Sequence, residues 1–225
     1  MKILIGANSK LTESLCRGFQ DSQIVVVGRN TPDYFASIND KKIIFLKTNY
    51  EETDQLVGEL QNYDNLEVIF VGIGSAPKLV INLEHEQIAD EIDKNIVFAV
   101  RLISRLLPKM LAEEFGRYIF IGSTESDKGV PGGAIYAIIK KSFEALSKNL
   151  AIEYGRFNIS SNVIKIGFLE NGYSSAIPTK YKDRIRERIP ANRELQVQSI
   201  GDLIDFILAT PDINGGILNI DQGLY

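Results

Sequence analysis

The chain is poor in the residues that build disulfides and zinc sites. A single cysteine, Cys16, excludes an internal disulfide framework, and its place in an apolar helical pattern marks a plain core thiol. The one histidine, His85, is followed by Glu86 but by no second histidine four positions on, so no zinc helix is written and no metal site is expected. No apolar run is long enough to span a bilayer, and residues 1–6 already read as strand, leaving no room for a signal peptide. Nor is there an excess of positive charge: the net charge of −4 gives no argument for nucleic acid or an anionic membrane. A cytoplasmic enzyme or binding domain remains.

What is present is an ordinary globular composition, 44% hydrophobic and 24% charged, over 225 residues, enough for one domain with a sizeable core. Short apolar runs at 2–5, 24–27, 42–46, 66–71, 118–121, 160–166 and 216–220 alternate with segments of helical spacing. The pattern predicts a single α/β domain over 1–225, a doubly wound parallel sheet of Rossmann type with helices on both faces. Pro108 is expected to break the long helical stretch from about Glu86 to Glu114. A polar, basic insertion at 168–198 interrupts the alternation near the end.

The chain is organised around the stretch Ile119–Ile152. An apolar strand there ends at Gly122-Ser123, passes through a loop, and becomes a helix carrying Tyr136 and Lys140. Four positions apart, these two share one helical face. Ser123 stands at a strand's carboxyl end, where open α/β sheets place their ligands. A phenol titrates near ~10, too high for ready proton exchange at neutral pH. An ammonium one turn away favours the phenolate, and a hydroxyl beside it can fix a carbonyl so that the phenol delivers a proton. Proton transfer to or from an oxygen is the chemistry this set suggests.

The first strand-turn-helix, Gly6 to Thr12, lies where a dinucleotide fold receives its pyrophosphate on helix-start amides, with Asn8 or Ser9 as the cap. Lys10 and Thr12 stand where further glycines are usual. If Lys10 needs a positive φ, its side chain carries strain. Arg29, just past the second strand, can pair with a ribose 2′-phosphate, whereas an acid there would favour the free hydroxyl.

Ser123, Tyr136 thirteen residues on, Lys140 four further, and Asn95 28 residues before Ser123 together resemble the catalytic signature of the short-chain dehydrogenase/reductase family. The resemblance spans the chain and implies Tyr136 as acid/base, Lys140 lowering its pKa and holding the nicotinamide ribose, Ser123 orienting the carbonyl, and Asn95 holding a water. It implies a pyrophosphate site at Gly6, Ser9, Lys10 and Leu11, Asn49-Tyr50 against adenine, Gly72 and Gly74 in the loop that usually reads Asn-Asn-Ala-Gly, and Gly167, Leu169 and Asn171 beside the nicotinamide. The expected cofactor is NADP(H), with NAD(H) as the weaker choice. The expected partner is a small carbonyl or alcohol, of anionic character if the basic segment 180–188 lies in the substrate lid. Relatives commonly form dimers or tetramers through the helices holding Asn95 and Tyr136. The departures in the cofactor loops leave a second reading open, a non-catalytic binding or regulatory module with a weakened dinucleotide site.

Overall fold

Short apolar strands, buried on both faces in the interior of the sheet and partly exposed at its two edges, with amphipathic helices between them, generate the architecture. The computed structural model describes residues 1–19, 23–38, 42–51, 53–72, 77–169, 179–193 and 195–224. Seven strands run in chain order: β1 (Lys2–Ile5), β2 (Ile24–Gly28), β3 (Ile43–Lys47), β4 (Glu67–Phe70), β5 (Gly116–Ser123), β6 (Ile159–Ile166) and β7 (Ile217–Ile220). They form one sheet in the order β3-β2-β1-β4-β5-β6-β7, every pair parallel.

Because successive side chains alternate across a strand, each interior strand feeds two cores. Ile3, Val25, Val68 and Phe120 face one layer, built on α2 (Thr53–Leu60), α4 (Phe98–Glu113) and α6 (Ala134–Tyr154). Leu4, Val26, Ile69 and Ile121 face the other, built on α1 (Lys10–Gly18) and α8 (Val197–Leu208). The remaining helices are α3 (His85–Ile92), α5 (Glu125–Lys128) and α7 (Thr179–Glu187). Among the described residues no helix is long and apolar enough to cross a membrane.

Strand order reverses between β1 and β4, which pair Ile5 with Phe70 at their carboxyl ends. That switch point opens the crevice where such sheets bind ligands.

The helical stretch around Pro108 departs from expectation. Pro108 sits inside α4, which continues to Glu113. It lies on the exposed face, where losing one backbone hydrogen bond costs least. The irregularity falls earlier, in one π-helical turn at Asp93–Val97 between α3 and α4. Asn95 is in that turn, and such turns recur at functional sites.

Candidate active site

Lys140 is the buried charge of the site. Its side chain is carried by α6 back toward the sheet, and the residue keeps 7% exposure. The ammonium donates to the carbonyls of Ile121 at 2.7 Å and Val71 at 3.3 Å, the one near the end of β5 and the other just after β4. Burial lowers its pKa to about 8, which still leaves it mostly cationic at neutral pH. The same ammonium stands 5.6 Å from the ring centroid of Tyr136, which is half-buried one turn earlier.

Gly72 ties this group to the π-turn. A side chain there would place its Cβ 3.0 Å from Lys140 Nζ and 3.6 Å from Asn95 Oδ1, so both groups converge on that glycine. Asn95 is buried and donates its Nδ2 to the Glu91 carbonyl at 3.0 Å, which turns Oδ1 toward Gly72. Gly72 adopts φ +85°, and a Cβ on Gly6, at φ +116°, would meet the Gly72 carbonyl at 3.0 Å. Only glycine leaves this cradle open at the switch point.

Ser123 is the last residue of β5 and is buried. Its Oγ accepts the Glu125 N–H at 3.3 Å, and its carbonyl accepts the Ser126 hydroxyl at 2.6 Å, a tight turn that aims the chain into α5. Glu125 is a residue that sequence reasoning passed over. It is buried, and burial pushes its carboxyl above the usual range with no charged group offsetting the effect.

The turn expected to receive the pyrophosphate is built without its usual further glycines. Ser9 caps α1, its hydroxyl accepting the Leu11 N–H at 3.1 Å, and Asn8 does not serve. Lys10 is the first helical residue and is absent from the positive-φ positions, so the condition for strain there is not met. Thr12 is fully buried and donates its hydroxyl to the Gly6 carbonyl at 2.7 Å, a bond that a glycine there could not make. Lys10 itself is exposed at the helix start, beside the orphan amides of the first turn.

Where the adenosine was expected, the structure brings Arg29 and Tyr50 together. The exposed guanidinium lies 6.0 Å from the centroid of the Tyr50 ring. Tyr50 holds φ +67°, an uncommon backbone for a tyrosine, with its N–H on the Thr48 hydroxyl at 3.2 Å. Its ring is buried edge-on against Phe98, and burial pushes its hydroxyl up to about 12. Asn49 is exposed and accepts the Glu51 N–H at 3.1 Å. Gly167 follows β6 with its N–H on the Ile220 carbonyl at 3.0 Å, and Leu169 packs half-buried on the α1/α8 core. Gly74 and Asn171 lie outside the described residues.

A family described as enoyl-(acyl carrier protein) reductase matches residues 47–225. The chain belongs to the short-chain dehydrogenase/reductase family. Members of that family are NAD(P)-dependent oxidoreductases, and this chain is an enzyme of that kind. Its first 46 residues, with the altered turn and Arg29, precede the matched segment. Among curated relatives, the 3-oxoacyl-[acyl-carrier-protein] reductase FabG of Rickettsia bellii is 26% identical over 99% of this chain and 95% of its own. FabG of Haemophilus influenzae is 27% identical over 82% of this chain and 78% of its own. Carbonyl reductase family member 4 of Xenopus laevis is 28% identical over 72% and 68%. Among solved structures, a single-site variant of actinorhodin polyketide ketoreductase with NADPH superposes at TM-score 0.84 and 20% identity, covering 99% of this chain and 96% of that one. These structural likenesses carry the short-chain dehydrogenase/reductase fold.

Beside the Tyr136 turn lies an apolar hollow of about 570 Å³, lined by Leu79, Val80 and Ile81 on one side and residues 129–134 with Ala137 on the other. The Lys78 N–H bonds the Gly132 carbonyl at 3.0 Å and holds its two walls together. The segment expected as a lid contains α7, and Phe168 and Ile189 anchor its two sides in a small cluster with Leu224.

Proposed function

We infer that the chain moves hydride between NADP(H) and a carbonyl/secondary-alcohol pair, with Tyr136 as general acid and base. The observation that carries this reading is the convergence of Lys140 Nζ and Asn95 Oδ1 on Gly72 at the switch point, with the Tyr136 ring 5.6 Å from the ammonium. The glycine cradle at Gly6 and Gly72 and the Ser9-capped helix start fit a pyrophosphate, and Lys140 suits the nicotinamide ribose. When bound, the dinucleotide supplies or accepts the hydride.

The chain's own residues do the rest. The Ser123 hydroxyl hydrogen-bonds the carbonyl oxygen and fixes its direction. Tyr136 gives that oxygen its proton during reduction and takes one back in the reverse direction. Lys140, its ammonium set against two carbonyls, favours negative charge on the phenol oxygen as the proton leaves. Asn95 would hold a water that links Lys140 to solvent and returns the proton.

Arg29 against Tyr50 supports a preference for the 2′-phosphate of NADP(H). Lys10 adds positive charge at the phosphate turn. The apolar hollow beside Tyr136 supports a substrate with an apolar portion, and the basic α7 supports an anionic one. The FabG relatives are named for a 3-oxoacyl group on an acyl carrier protein, a substrate class that the apolar hollow would suit. The exposed Val100 on α4 and Ile138 and Ile152 on α6 support a homodimer or homotetramer through these helices. The test is NADPH oxidation with acetoacetyl-CoA. Turnover that Tyr136→Phe abolishes supports the reading, and turnover unaffected by that change sinks it.

A further inference from the structure

Lys165 is a buried cation that the proposed chemistry does not use. It lies on β6, where the register sets it opposite Gly122 on β5. Its stem crosses that glycine: a Cβ on Gly122 would lie 2.9 Å from Lys165 Cγ. A Cβ there would meet Val163 Cγ1 at 2.9 Å as well, so a glycine before Ser123 leaves room for both side chains of β6.

The far end of the stem enters a four-charge cluster. Lys165 Nζ pairs with Asp127 on α5 and lies 3.4 Å from Glu144 Oε1 on α6. Lys141 pairs with Asp127 as well and with Glu144 at 2.9 Å. Two cations and two anions balance. The Lys165 side chain is 5% exposed, whereas Asp127 and Lys141 sit at 37% and 43%. Burying such a charge is a poor way to gain stability, since its desolvation offsets the attraction.

Its position offers another use. Asp127 lies four residues beyond Ser123, and Lys141 and Glu144 lie one and four beyond Lys140. Between Ser123 and Tyr136 the chain turns through Gly129 and Gly132, both at positive φ, so the ion pairs of Asp127 with Lys165 and Lys141 are a second tie between the two beside the chain itself. Resting on the functional reading above, we propose that Lys165, through Asp127 and Glu144, is a positioning residue that locks the Ser123 turn against the Tyr136–Lys140 helix. It touches no reacting atom. It acts by setting the distance between the hydroxyl that orients the carbonyl and the phenol that exchanges its proton.

The test uses the full chain with two variants, Asp127→Asn at the exposed end and Lys165→Met at the buried end, and Asp127→Glu as the conservative control. Two readouts are taken: kcat and KM with NADPH and acetoacetyl-CoA, and amide hydrogen exchange over residues 123–129. We expect kcat to fall roughly 10- to 100-fold, the cost of misplacing a catalytic group by about an ångström. The NADPH dissociation constant should stay within about twofold, Asp127→Glu should recover part of the rate, and exchange over 123–129 should quicken about tenfold while β2 stays protected. Exchange over 123–129 unchanged in Asp127→Asn overturns the proposal, as does faster exchange with unchanged kcat. If Lys165→Met does not fold, Asp127→Asn decides alone. If wild type turns over no probe, the oxidoreductase reading fails separately and the exchange result decides whether the lock exists.

Discussion

Replacing Lys140 by methionine separates function from stability in a way the structure makes quantitative. The ammonium is buried against two carbonyls, and desolvation lowers its pKa from 10.5 to about 8. In the unfolded chain the same group titrates near its ordinary value. The folded state therefore binds fewer protons between about 8 and 10.5, and wild-type stability rises with pH across that window. Below the window the full cost applies, about 3 kcal/mol for a difference of that size. Lys140→Met removes this cost but leaves two carbonyl oxygens without their donor, a loss of about 1–3 kcal/mol. At pH 7 the two effects nearly cancel, so we expect the variant to be about as stable as wild type. By pH 10 wild type should have gained roughly 2–3 kcal/mol relative to the variant. Urea unfolding of both proteins at pH 7 and pH 10 measures this, best in a Tyr136→Phe background, because the titrating groups that do not interact with Lys140 are common to both and drop out of the difference. Turnover should be lost throughout, together with most of the NADPH affinity. A stability difference that does not change between the two pH values would refute the account of Lys140 as a desolvated cation.

Tyr136→Phe should lower kcat roughly 100- to 10,000-fold while NADPH binding and the melting temperature hold, as checked by steady-state rates and fluorescence titration. Arg29→Asp should erase or reverse the preference for NADPH over NADH, a preference expected at roughly 10- to 150-fold from charge-assisted hydrogen bonds. Equal dissociation constants in wild type would remove Arg29 from cofactor selection. Glu125 has its pKa raised by burial, so the folded state holds its proton longer and stability falls as pH rises past the ordinary carboxylate value. Glu125→Gln should therefore stabilise the protein at pH 7–8 and leave it unchanged near pH 4, read by thermal melts at both. Arg184→Gln with Arg186→Gln should raise KM for acetoacetyl-CoA and flatten its salt dependence, and constant KM would mark α7 as a solvated face with no part in substrate binding.

The seven strands and the helices α1, α2, α6 and α8 are legible in the chain by itself, as is the shared face of Tyr136 and Lys140, whereas α5 falls in the stretch that reads as a loop. Apolar alternation and helical spacing are local properties, and Tyr136 and Lys140 must share a face wherever α6 packs. Asn95 is legible only through its distance from Ser123, a family resemblance rather than a physical signal. Whether Lys10 is strained is left open by the sequence, because a missing glycine implies strain only if the position needs positive φ, and in the structure it opens α1 with ordinary backbone. The effect of Pro108 is misread from sequence, since a proline on an exposed helix face can be carried through. Thr12 bonding Gly6, Glu125 losing its water and Lys165 reaching Asp127 across 38 positions are decided by the tertiary structure. Burial and long-range distance depend on which elements meet, and a one-dimensional pattern carries the faces of those elements but not the partners that cover them.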